Sequence, residues 1–147
     1  MPALLRWANP SEANQITTLK LGPLLFLGLV TTLFAADPFA GTWKLVPDKS
    51  SGIIPEDETV IIQERGRTLG FQVKVVTGGV HGETFSIQYT APIGGGNGKI
   101  EAGPYDGVFV KRIRADVLEI AYLAKGKDAR STRAAVSKDG RTMTSTA

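Results

Sequence analysis

Few side chains in this sequence are placed to do chemistry. His81 is the single histidine and sits between Val80 and Gly82, so neither a histidine-rich metal site nor an HExxH pair can be assembled. Glu83 is the nearest carboxylate that could orient it as a general base, but a spacing of two residues in a turn gives only proximity, and a solvated turn histidine is expected. Glu56, Asp57 and Glu58 form the densest acidic run. A calcium ion needs roughly six to eight oxygens converging from several positions, whereas neighbouring carboxylates at a strand entry diverge, so a charged loop is the expectation. Gly94-Gly95-Gly96-Asn97-Gly98-Lys99 has the composition of a phosphate-binding loop but not its spacing: the required glycine is Ile93 and the required Ser or Thr is Ile100. That stretch is expected to be a flexible hairpin loop.

There is no cysteine, which excludes disulfides, a thiol nucleophile, thiolate metal sites and an N-terminal lipid anchor built on cysteine. Lys111, Arg112, Arg114, Arg130 and Arg133 fall in neighbouring C-terminal segments. Strand alternation separates Lys111 from Arg112 and Arg114, and Arg130 from Arg133, so solvated faces with cross-strand pairing to Glu119 are expected rather than one basic patch. With no nucleophile–base pair, metal cluster or cofactor fingerprint, neither an enzymatic activity nor a cofactor is expected.

The net charge of +3 across 147 residues is too balanced for a nucleic-acid partner. Leu21 to Phe34 is an uncharged apolar run, preceded by Lys20 and followed by Ala35-Ala36. Positive flank, apolar stretch and small residues make the pattern of a secretory signal, about 24 Å long as a helix if counted to Ala36 and short of a membrane span. Residues 1–36 are therefore expected to be a signal peptide without strand pattern, dispensable for the fold, and residues 37–147 the mature domain. The expected location is secreted or periplasmic. The alternative is an uncleaved leader that anchors the chain to the inner membrane through residues 21–36, its only contact with a membrane.

Beyond the leader, period-two alternation predicts strands at Phe39–Leu45, Thr59–Glu64, Leu69–Val75, Phe85–Thr90, Val108–Arg114, Val117–Ala124, Ala129–Ser137 and Thr142–Thr146. A short further strand is open at Lys99–Ala102, and Asp139-Gly140 is a strong hairpin signal. No amphipathic helix is found after residue 36. About eight short strands joined in sequence suggest an all-β up-and-down antiparallel barrel or strongly curved meander, with a two-sheet sandwich as alternative.

Gly41-Thr42-Trp43-Lys44-Leu45 followed by Asp48-Lys49-Ser50, with Val110-Lys111-Arg112-Ile113, Val117-Leu118-Glu119-Ile120 and Val136-Ser137-Lys138-Asp139-Gly140-Arg141-Thr142-Met143-Thr144, resembles small secreted bacterial lipocalin-like proteins, most of them without known activity. The resemblance spans most of residues 39–144. It implies a lipocalin-like barrel with Trp43 near the closed end of its interior. Chains of this kind continue into one further strand, so the strand Thr142–Thr146 is expected to be an open edge prone to weak self-association.

The resulting expectation is an exported lipocalin-like module that binds a small apolar or amphipathic molecule. The alternative is an envelope protein-interaction or structural module with no small ligand. The candidate cavity wall is Trp43, Phe71, Val73, Phe85, Ile87, Tyr89, Ile120 and Tyr122, residues that equally suit a filled core.

Overall fold

Alternating runs separated by turn signals fold as antiparallel hairpins with one face buried. The computed structural model describes residues 2–10 and 35–147, and there ten strands close on themselves as one antiparallel barrel. In chain order they are β1 (Leu4–Ala8), β2 (Gly41–Leu45), β3 (Asp57–Arg65), β4 (Thr68–Val76), β5 (Thr84–Pro92), β6 (Gly95–Ala102), β7 (Gly107–Arg114), β8 (Val117–Ala124), β9 (Lys127–Val136) and β10 (Thr142–Thr146). From β2 to β10 each strand pairs with the next in sequence, and β1 lies between β10 and β2. No α-helix occurs among the described residues; Pro47–Lys49 forms a single 3-10 turn.

The count exceeds the expected eight for two reasons. The glycine-rich stretch is a strand rather than a loop: a Cβ at Gly98 would lie 2.6 Å from both Thr90 O and Val108 Cγ1, so the backbone passes where no larger residue fits. Alternation is invisible there because glycine has no side chain to alternate. The second addition is β1, which lies within the expected leader. Its sequence alternates after all: Leu5 and Trp7 turn inward and are buried, while Leu4 and Arg6 face out.

β1 pairs along its whole length with β10, from Leu4 opposite Thr146 to Ala8 opposite Thr142. β10 pairs on its other side with β9, so the expected open C-terminal edge is absent and β10 offers no free side for strand-to-strand association. The seam with β2 is short, only Trp7 opposite Leu45 and Ala8 opposite Lys44. Beyond it the 3-10 turn displaces the chain, and Ser50 and Ser51 take over: the Arg6 N–H donates to Ser50 Oγ (3.1 Å) and Leu4 exchanges two backbone hydrogen bonds with Ser51. The barrel thus draws on residues from both sides of the expected boundary at Ala36 and Asp37, with Leu4–Ala8 as one of its strands. The apolar run Leu21–Phe34 lies outside the described residues, and no described helix is long and apolar enough to cross a membrane.

Up-and-down connectivity puts the connections alternately at two ends. One end carries residues 35–40 and the turns at 66–67, 93–94, 115–116 and 137–141. The other carries 46–56, 77–83, 103–106 and 125–126, together with residues 2–3 and 147. The first end is closed and the second open.

Candidate functional site

Strand parity determines what fills the closed end. Phe39 and Trp43 are fully buried there, and the Trp43 indole N–H donates to Phe39 O at 2.9 Å. Arg112 shares its parity with Val108 and Val110 and therefore turns in at the same end. Its guanidinium lies 5.8 Å from the Phe39 ring centroid and pairs with Asp37 at 2.6 Å. It also donates to the carbonyls of Ile93 (2.5 Å) and Ala115 (2.7 Å). Asp37 in turn accepts from the Phe39 N–H at 3.0 Å, and its own N–H donates to Glu64. The side chains of this pair are 15% and 6% exposed, and each of the three guanidinium nitrogens donates a hydrogen bond within this plug.

Above the plug the barrel interior is a cavity of 530 Å³ that opens between the loops of the other end. Seven of the eight candidate residues line it: Phe71, Val73, Phe85, Ile87, Tyr89, Ile120 and Tyr122. Trp43 does not; it packs beneath, in the plug. Sequence reasoning missed the rest of the wall. Leu5 and Trp7 come from β1, and Leu118, Ala134 and Met143 complete the apolar surface. Phe71 and Tyr89 stack at 4.5 Å, Tyr122 meets Tyr89 edge-on at 5.7 Å and stacks on Tyr105 at 4.7 Å. The Tyr122 hydroxyl donates to that of Tyr89 (3.2 Å), and burial pushes both phenols above their ordinary pKa.

Five polar residues, Glu58, Thr77, Arg130, Thr132 and Ser145, interrupt the apolar lining nearer the mouth. Glu58 is the inward member of the acidic run, with Val60 and Ile62 on the same parity, while Asp57 turns out to solvent. Burial raises the Glu58 pKa from 4.5 to about 7; the Arg130 charge opposes the rise and Asp57 adds to it. Arg130, Thr132 and Ser145 line the facing β9–β10 wall. Arg133 points away and pairs with Glu119 at 3.6 Å, so the alternation expected for these arginines holds. The sequence signal for Glu58 and Arg130 was that same parity, counted inward from their apolar neighbours.

The rim is apolar. Ile53 and Val80 are 96% and 97% exposed and Phe85 is 39% exposed, all on loops or strand starts around the mouth. His81 is exposed in the same β4–β5 loop. Among the described residues no group of three or more His, Cys, Asp or Glu side chains comes together as a metal site. The fold and site thus define an antiparallel barrel with an apolar, one-ended cavity. Comparison with family models, curated proteins and solved structures finds no match for the chain.

Proposed function

We propose that the protein is a lipocalin-like carrier that holds one small apolar or amphipathic molecule inside its barrel. The cavity carries this reading. Its 530 Å³ falls within the ~300–1,000 Å³ usual for small-molecule sites, and its wall is largely apolar with a few polar groups near one end. A barrel of this kind is either filled by side chains or left open for one ligand, and here the side chains do not fill it. The lipocalin-like assignment rests on the Trp43 and Ser137–Thr144 motifs together with the barrel, whereas a leader cut after Ala36 would remove β1 and with it the wall residues Leu5 and Trp7.

The direct test is recovery of the protein from its native host, followed by solvent extraction and mass spectrometry. A stoichiometric apolar or amphipathic compound is expected, and the stripped protein should bind an apolar dye such as Nile red in competition with it. Absence of both a bound compound and dye binding would overturn the carrier reading. The exposed Ile53 and Val80 would then favour the second reading, an envelope interaction module without a small ligand.

A further inference from the structure

The cavity walls are chemically unequal. Toward β3, β4 and β5 the lining includes Val60, Phe71, Val73 and Ile87, with Glu58 the one carboxyl. Toward β9 and β10 the lining near the mouth is Arg130, Thr132 and Ser145. Arg130 and Thr132 are two apart on one strand and so share a face, and Ser145 lies on the adjoining strand opposite Ala134. Thr132 and Ser145 are each only 8% exposed, yet neither side chain makes a hydrogen bond among the described residues. Arg130 has no carboxylate within ion-pair distance there either, Glu58 included. An exposed, permanent cation at the mouth, whose charge acts on Glu58 without an ion pair, and two hydroxyls without hydrogen-bond partners therefore line one side of an apolar cavity.

We propose that the ligand is a single-tailed amphiphile with an anionic head, the head held by Arg130, Thr132 and Ser145 and the tail laid along the β3–β5 wall. This rests on the carrier reading and adds the ligand's charge and orientation. A guanidinium is always charged, whereas a buried carboxyl can be neutralised by a proton. A cationic head would have to face Arg130. An anionic head faces only Glu58, which is half protonated near neutral pH. Holding Glu58 protonated at that pH costs only about a factor of two in affinity. The charged or titratable groups acting on Glu58 are Arg130 from β9, Tyr122 from β8 and Asp57 beside it, while β4 sets Val75 opposite. Binding of the anion should therefore draw a proton onto Glu58 and strengthen as pH falls through about 7.

Calorimetric titration of the full chain with decanoate, decan-1-ol and decylammonium tests this. Decanoate is expected to bind about tenfold more tightly than decan-1-ol, the size of one charge-assisted hydrogen bond. Arg130→Gln should remove that preference, bringing decanoate's affinity down to that of the alcohol; Arg130→Lys should keep part of it. The preference should be larger near pH 6 than near pH 8, where decanoate stays ionised throughout, and flat with pH in Glu58→Gln. Decan-1-ol binding as tightly as decanoate, preferential binding of decylammonium, or indifference to Arg130→Gln would each overturn the anionic head while leaving the carrier reading intact. Failure of all three probes to bind would defeat the carrier reading itself.

Discussion

At the closed end of the barrel, Arg112 satisfies Asp37 and two carbonyls, Trp43 satisfies Phe39, and an aromatic ring fills the space beneath the guanidinium. At the open end Thr132 and Ser145 have no hydrogen-bond partners, Arg130 is exposed without an ion pair, Glu58 is buried without an ion pair, and Ile53 and Val80 stand in solvent. The same strands build both ends, so the contrast comes from which residues occupy a few inward positions. Polar groups satisfied by the protein hold the fold together, whereas polar groups left without partners cost stability unless a ligand supplies what they lack. On the proposed carrier reading, structural and binding roles are separated along the barrel axis, and substitutions at the two ends should have different consequences.

The largest effect is expected from deleting residues 1–36. This removes the inward Leu5 and Trp7 and exposes the sides of β2 and β10, a loss of more than about 5 kcal/mol from the roughly 5–15 kcal/mol such domains hold. Sedimentation and thermal unfolding should show association or loss of a cooperative transition; a folded monomer with an unchanged midpoint would show β1 to be dispensable. Next is Trp43→Ala, expected to cost about 3–5 kcal/mol in denaturant unfolding, with the affinity of the stripped protein for Nile red little changed wherever the variant is folded. Equal loss of dye binding would erase the division between the ends.

Arg112→Ala should cost about 3 kcal/mol, because it leaves Asp37 buried without its partner. Arg112→Ala combined with Asp37→Ala should cost less than the sum of the two, and strict additivity would show that the pair is not coupled. Glu58→Gln works in the opposite direction. Because the folded-state pKa is raised, the native state binds the extra proton, so the group's favourable contribution is full below about 4.5 and lost as pH rises through about 7. The variant should therefore gain up to about 3 kcal/mol relative to wild type at pH 8 compared with pH 4, a limit set by the shift and reduced by any water in the mouth. An identical pH profile in both proteins would show Glu58 to be solvated. The smallest effect belongs to Val80→Ser, within about 0.5 kcal/mol by unfolding, since the side chain touches little.

Much of this arrangement was legible in the sequence, and the exceptions have physical causes. The hairpins from Asp57 to Val76 and from Gly107 to Val136 follow from period-two alternation, and seven of the eight proposed wall residues face the cavity because alternation fixes the face. Trp43 shares that parity, but parity says nothing of height along the barrel, and height is what separates plug from cavity. Glu58 and Arg130 were hidden by composition: each sits in a charged cluster that reads as solvent-facing until counted against Val60 and Ala134. β6 was obscured by glycines and β1 by the apolar run that follows it. Both joined the barrel through pairing with distant or bulged neighbours, which local pattern does not encode.

The placement of β1 also sets an order of events. Strands β2 to β10 each pair with their neighbour in sequence, so most of the sheet can grow by short-range steps. β1 is synthesised first, yet its main partner is β10, and Leu4 meets Thr146 across nearly the whole chain. With β2 to β10 already paired, docking β1 closes the connection from residue 9 to 40, about 2 kcal/mol more in chain entropy than closing a tight hairpin, so β1 should dock last. Until it does, β2 and β10 present bare edges to any neighbouring chain, and the nascent protein is at its most aggregation-prone just before completion. A short strand with a two-residue seam to β2 thus acts as the clasp of the barrel: made first, fastened last.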